Sequence, residues 1–389
     1  MDADAHYPVG ASITLADLDA DPHPALRRLR ATEPVSWVPA IGGWLVTRRD
    51  LALAVLRDAR TFTVDDPRFS TAQVVGPSML STDGAEHSRH RGPFTRPFKP
   101  AAVRAGFESR ITDLTATLIG RIRGDRRAEL RSALAGPLSV AVVVDTLGLR
   151  EVDDDAVLSW YRAIVDSVTR IGAGEQPTTG GAAAFDVLSA HLRDSVQQRP
   201  EDSLVGAAAS GRLSIEEVVS DAAVLMFGGI DTTEGMILNA IRHLLLESPG
   251  VREDLLAVPQ RIDAAVEESI RLEPAAAVVD RYATVGVELG AARVRAGDFV
   301  QVSLAGANRD PAVFVDPDRF DAGRPNVRDH LAFAHGSHFC LGMDLARLET
   351  RIAVGAVLAL PGARLDPAAQ SRPTGLVFRK PVSLHVVFD

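Results

Sequence analysis

Cysteine is almost missing from this chain: Cys340 is the only one in 389 residues. That excludes an intrachain disulfide and any metal site built from several cysteines. No apolar run reaches the length needed to cross a membrane, and Met1 to Asp21 is polar and acidic, so neither a signal peptide nor a membrane anchor is expected. Together these absences point to a soluble, cytoplasmic protein. Glycine loops of the dinucleotide or P-loop kind are missing, so no built-in reductase is expected. The formal net charge of −9 argues against general nucleic-acid binding. Lysine is scarce too: of 42 basic residues only Lys99 and Lys380 are lysine, so any basic docking face is built from arginine. Hydrophobic content of 46% is ordinary for a globular protein with a large core. The length alone would allow two or three domains, but no linker divides the chain, and one domain spanning 1–389 is expected.

What is present gathers around the lone cysteine, in Phe333-Ala334-His335-Gly336-Ser337-His338-Phe339-Cys340-Leu341-Gly342. Two glycines bracket Cys340, which suits a tight loop whose backbone approaches something closely. Met343 to Leu360 reads as a helix, stopped by Pro361-Gly362. The positive end of that helix and its free amides favour a thiolate. A thiolate held by amide donors, with Phe333 shortly before it, is suited to ligating haem iron.

Upstream, Pro22 to Thr32 reads as a short helix. Val35–Val38 and Trp44–Val46 read as a hairpin through Gly42-Gly43. Asp50 to Asp58 is helical, and Thr61 to Glu86 loses periodicity, a loop long enough to be functional. Helices are expected over Asp113–Arg123, Pro137–Leu147, Val152–Ile171 and Ala184–Gln198, with Gly172 to Ala183 as a break. Leu213 to Ser248 is the longest expected helix, opened by a capping box at Ser214 and Glu217 and spanning roughly 50 Å. Its middle, Phe227-Gly228-Gly229-Ile230-Asp231-Thr232-Thr233, breaks local rules. Two glycines cost about 1 kcal/mol each there, and Asp231 places a charge among apolar neighbours. Such a concentration of exceptions marks a functional site. Arg261 to Leu272 is helical, Pro274 to Arg281 is extended and apolar, and Gly286 to Val302 reads as a hairpin. Gly375 to Phe378 and Val382 to Phe388 are strand-like.

The cysteine loop resembles the haem-ligand signature of the cytochrome P450 family, with Phe333, Gly336, Cys340 and Gly342 in register and His338 where bacterial members usually carry histidine. It departs at Ala334, where glycine is more common. Three further stretches are similar to that family, in the right order. His87 and Arg91 match a His-x-x-x-Arg pair that points at haem propionates. Gly228, Gly229, Asp231 and Thr232 match the distal helix. Glu268 and Arg271 match a buried Glu-x-x-Arg pair bracing the haem loop, completed by either Arg319 or Arg324. Arg281 matches a further propionate ligand.

The resemblance implies a mainly α fold (α+β), a helical domain with small peripheral sheets holding haem b between the long helix and the Cys340 thiolate. It implies a monooxygenase that hydroxylates an apolar small molecule, in secondary metabolism, with electrons from ferredoxin and an NAD(P)H-dependent ferredoxin reductase. Thr232 and Asp231 would deliver protons. Met79, Leu80, Val278, Val279 and Leu376 are the expected pocket lining. Arg89, Arg96, Lys99 and Arg104 form a basic run that could meet an acidic electron carrier. Another oxidation on the same fold (epoxidation, oxidative coupling, demethylation or a peroxide-driven route) and a non-catalytic haem protein stay open at this point.

Overall fold

The structure is a computed structural model, and it describes the chain except residues 1–5, 150, 173–174, 199–207, 209–212, 248, 259 and 370. In chain order, α1 is His23–Thr32 and α2 is Gly84–Thr95. Pro100–Ile122 forms α3 and Gly136–Leu147 forms α4. Next come α5, Asp154–Gly172, and α6, Thr179–Gln198. Ile215–Gly229 is α7, Asp231–Leu246 is α8 and Gln260–Leu272 is α9. Met343–Leu358 closes the set as α10.

Among the described residues nine strands are β1 (Val35–Val38), β2 (Gly43–Val46), β3 (Phe62–Thr63), β4 (Val278–Ala283), β5 (Val287–Leu289), β6 (Ala292–Val294), β7 (Phe299–Ser303), β8 (Pro373–Thr374) and β9 (Lys380–Pro381), and three more, Arg127–Glu129, Arg364–Leu365 and His385–Val387, form a sheet of their own. The largest sheet runs β1-β2-β7-β4-β3. The hairpin expected at Val35–Val46 is present, with Trp37 opposite Trp44 and Gly42 in the left-handed region at φ 63°. The Gly286–Val302 stretch divides: β5 and β6 pair around Gly290, whereas β7 joins the main sheet between β2 and β4. Strand pairing at a distance, which local alternation does not encode, decides that.

Helix extents differ from the periodicity in four places. The Thr61–Glu86 loop contains β3, a short helix at Ser70–Val75 and the start of α2. Helix α3 begins at Pro100, well before Asp113, because Pro100 suits a first helical turn. Helix α6 begins at Thr179 rather than Ala184. The long helix is capped at Ser214 by the expected box with Glu217. It is broken at Ile230, however, into α7 and α8, and its expected stop at Ser248 lies outside the described residues. The weak helix formers Gly228 and Gly229 sit immediately before that break. The main core cluster joins these helices: Ile237, Leu238 and Ile241 of α8 lie with Val354 and Val357 of α10 and Leu134 and Leu138 around α4.

Candidate functional site

The loop before α10 folds back on itself. The Cys340 N–H donates to the Phe333 carbonyl at 2.9 Å. Gly336 has φ 77°, and a Cβ there would meet the Leu56 carbonyl oxygen at 2.3 Å, so only glycine fits. Ala334 also sits in the left-handed region, at φ 57°. The family-like glycine that the sequence lacks is thus replaced by a strained alanine.

Cys340 is solvent-exposed, yet its sulfur is densely surrounded by protein. Burial pushes the thiol pKa up, against the amides of Gly342 and Met343 and the charges of Arg91 and Arg347, all of which favour the thiolate. Bound metal would supply the charge that tips this balance. A Cβ on Gly342 would meet nothing within 4 Å, as would one on Gly228.

Around that loop converge groups that lack anionic partners. His87 donates from Nε2 to the Ser337 carbonyl at 3.1 Å; its ring lies 4.2 Å from that of His338, and its Nδ1 is buried without a partner. Arg91 Nη2 donates to the Phe339 carbonyl at 2.6 Å. Arg281 is 4% exposed, its guanidinium donates to the Asp280 carbonyl, and no carboxylate lies in ion-pair range among the described residues. Burial works against the charged forms of Arg91, Arg281 and His87 alike. His338 differs, being held by Asp83 at 2.8 Å. A buried guanidinium, a half-buried one and an orphaned imidazole nitrogen around a lone cysteine fit a cofactor carrying carboxylates, as haem does.

The bracing cluster is resolved by geometry. Glu268 and Arg271 are completely buried and paired at 2.8 Å. Arg324 completes them, its Nε reaching Glu268 at 3.0 and 3.2 Å. Arg319 does not: its side chain is 66% exposed beside Asp321, and only its carbonyl accepts from Arg271 and Arg324. A second pair lies beside the loop and was not anticipated. Glu267 binds His330 at 2.8 Å and Arg347, whose guanidinium lies 4.7 Å over the Phe333 ring.

On the distal helix, the Thr232 hydroxyl donates to the Gly228 carbonyl. Gly229 is not part of the open face, because its Cβ would meet Val143 Cγ2 at 2.7 Å; it is a packing contact with α4. Asp231 is paired to Lys380, a residue that sequence reasoning missed although lysine's rarity could have flagged it.

The five apolar pocket candidates do not form one cluster. Met79 and Leu80 lie with the main core, and the Met79 N–H donates to Asp221 at 2.6 Å. Along β4 the period of two puts Val279 on the same face as Arg281 and turns Val278 the other way. Val278 and Leu376 therefore line a small cavity with Leu18, Leu26 and Gln301, under the N-terminal helices, not beside Arg281. Phe378, two residues beyond Leu376, packs against Phe227 with ring centroids 5.5 Å apart, next to Gly228.

Among the described residues no helix is long and apolar enough to cross a membrane. In the basic run, Arg89 is engaged by Glu86 and Glu217, whereas Arg96, Lys99 and Arg104 are exposed.

A family model described as Cytochrome P450 matches residues 260–360. The chain is 35% identical over 380 residues to the mycinamicin IV hydroxylase/epoxidase of Micromonospora griseorubida, covering 92% of this chain and 94% of that protein. It is 36% identical to the monooxygenase PikC of Streptomyces venezuelae, covering 88% and 84%. The solved structure of CalO2 superposes with a TM-score of 0.86 at 30% identity, over 97% of this chain and 99% of that one. P450BioI, solved with an acyl carrier protein bearing hexadec-9Z-enoic acid, gives 0.85 at 28% identity, over 95% and 99%.

Proposed function

Because the chain belongs to the cytochrome P450 family of haem-thiolate monooxygenases, we propose that it hydroxylates an apolar small molecule of secondary metabolism, in the cytoplasm, with electrons from a ferredoxin and its reductase. The observation that carries the assignment of residues is the set of groups without anionic partners, His87, Arg91 and Arg281, disposed around the chain's one cysteine.

The family binds haem b through a cysteine thiolate, and Cys340 is the one residue here that can supply it. When bound, that cofactor supplies dioxygen activation and the oxidising power for C–H attack. Arg91, Arg281 and His87 would hold its carboxylates, and His338 is set beside them by Asp83. The amide N–H groups of Gly342 and Met343 would donate to Sγ and stabilise its charge. Glu268, Arg271 and Arg324 pin the Asn308–Asp321 segment that leads into the cysteine loop.

Proton handling falls to Thr232 and Asp231. The Thr232 hydroxyl can release the Gly228 carbonyl and present its proton to a distal acceptor. Asp231 would replace that proton from the side of Lys380. Gly228 leaves the helix surface bare where a substrate lies, and Phe227, Phe378 and Val279 offer the apolar contacts near it. The relative named as a mycinamicin IV hydroxylase/epoxidase supports a secondary-metabolite substrate. The exposed Arg96, Lys99 and Arg104 would attract an acidic electron carrier.

A haem-absorbance screen of apolar compounds against the purified holoenzyme, followed by product analysis with surrogate ferredoxin, ferredoxin reductase and NADPH, tests this reading. Binding that shifts the spectrum and yields a product heavier by one oxygen supports it. NADPH that is never consumed across the panel contradicts it.

A further inference from the structure

Lys380 touches the distal helix at the acid. Its ammonium is paired to Asp231 and lies 2.6 Å from Glu234 Oε1, one turn further along α8. All three side chains are largely buried, at 12%, 19% and 8% exposure. Arg131 closes the ring: its Nε reaches Glu234 at 2.7 Å and its Nη1 donates to the Val382 carbonyl at 3.1 Å. The Tyr161 hydroxyl, buried beside the cluster, is held in its neutral form by burial and by nearby Asp231 and Glu234. Two carboxylates and two cations thus balance in one cluster, with Arg131 at its exposed edge, and Lys380 is the only member bound to both acids.

Lys380 rides on an element that also senses the pocket. It pairs with Thr374 across a tight hairpin whose tip glycine, Gly375, has φ 112°. On one side the hairpin is bonded to the apolar segment: the Ala277 N–H donates to the Val377 carbonyl and the Arg379 N–H to the Ala275 carbonyl, both at 2.8 Å. On the other it lies directly on α8, where a Cβ on Gly235 would come within 3.5 Å of Lys380 Cβ. Asn239 donates to the Arg379 carbonyl at 3.0 Å and fixes the base. Phe378, two residues before Lys380, packs on Phe227 beside the open face at Gly228. Phe378 thus links Phe227, the neighbour of Gly228, to the strand that carries Lys380.

We propose that Lys380 is a positioning residue that holds the Asp231 carboxylate in place and couples that hold to occupancy of the apolar pocket. The inference rests on the proposed proton role of Asp231. Occupancy moves the Phe378 strand, the Lys380 hold loosens, and Asp231 becomes free to serve Thr232. Without substrate the hold keeps the acid engaged, so electrons are not spent on unproductive oxygen chemistry.

The scarcity of lysine makes this directly measurable. Protein grown with 13C-labelled lysine gives side-chain signals from Lys99 and Lys380 only, and Lys380→Arg assigns them. In the diamagnetic ferrous carbon-monoxide holoprotein, the Lys380 signal should stand apart from the solvent-like Lys99 signal and move toward it in Asp231→Asn. In the ferric enzyme the same signal should move when 4-phenylimidazole fills the distal pocket. A Lys380 signal indifferent to both changes overturns the inference. With no compound bound, Lys380→Met should consume NADPH about tenfold faster than the parent, because the hold on the acid is gone, and Lys380→Arg should restore most of the restraint; with the tightest-binding compound of the spectral screen, product per NADPH should change little in Lys380→Met and fall roughly hundredfold in Asp231→Asn. If Asp231→Asn leaves product per NADPH unchanged, the proton role of Asp231 is wrong. If Asp231→Asn lowers it and substrate-free NADPH consumption by Lys380→Met matches the parent, the role of Lys380 is wrong.

Discussion

Replacing Arg324 by alanine, beside the matched replacement of Arg319, separates a bracing charge from a bystander. Arg324 gives Glu268 two contacts at 3.0 and 3.2 Å and donates to the Val315, Asp316 and Arg319 carbonyls. Its removal leaves Glu268 bound to Arg271, so the carboxylate keeps one cation. It strips the charged bonds to Glu268, each worth about 1.5–3 kcal/mol, and the donors to two carbonyls; the Arg319 carbonyl keeps Arg271 at 3.3 Å. Val315 is 80% exposed, so its carbonyl can be rehydrated, which trims the loss. The net cost comes to about 3–4 kcal/mol, within the range for breaking a buried ion pair. Arg319→Ala removes only an exposed pair with Asp321 at 3.1 Å and keeps the carbonyl, so its cost stays below about 1 kcal/mol. Urea unfolding of both holoproteins, with haem content from the ratio of haem to protein absorbance, measures the difference. Arg324→Ala should unfold at lower urea and lose haem, and Arg319→Ala should match the parent. Equal behaviour of the two variants would refute the assignment of the cluster.

Other expectations follow from single geometries. Ala334→Gly relieves the left-handed strain at φ 57° and should raise stability by about 0.5–1 kcal/mol after the added freedom of the unfolded chain is counted, read by urea unfolding. Gly228→Ala, with open space around the new methyl, should hold or raise stability while changing the ligand-binding spectra. Gly229→Ala, driven against Val143, should destabilise by about 1–2 kcal/mol. Burial holds the His243 pKa down at about 4, from an unfolded value near 6.5. Its contribution is therefore present above pH 6.5 and lost as pH falls toward 4. In that window His243→Gln should flatten the stability profile by up to about 1.4 kcal/mol per pH unit, measured by urea unfolding across pH.

Much of this architecture could be read from residue order. A lone cysteine by itself reads as a small buried hydrophobe; the loop around Cys340 stood out because Phe333, Gly336, Cys340 and Gly342 match the family's haem-ligand signature. The Ser214–Glu217 box gave the start of the distal helix because capping is local chemistry. The break at Ile230 was less visible: glycines lower helix propensity, but whether a helix bends or stops depends on what packs against it. Arg319 and Arg324 were indistinguishable in sequence, since both follow the same turn-rich segment, and only burial separates them. Val278 and Val279 differ by one residue and so by one face of a strand, a choice that the sheet's neighbours make. Lys380 lies 149 residues from Asp231 and had no local signal beyond its rarity.

The most direct test of the account is the absorption spectrum of the ferrous carbon-monoxide adduct, taken for the parent protein and for Cys340→His. The parent should show the red-shifted band of a haem bound to thiolate, and Cys340→His should retain haem, lose that band and lose oxygen-dependent product formation. A parent adduct without the red-shifted band, or a Cys340→His protein that keeps it, would contradict the assignment of Cys340 as the axial ligand.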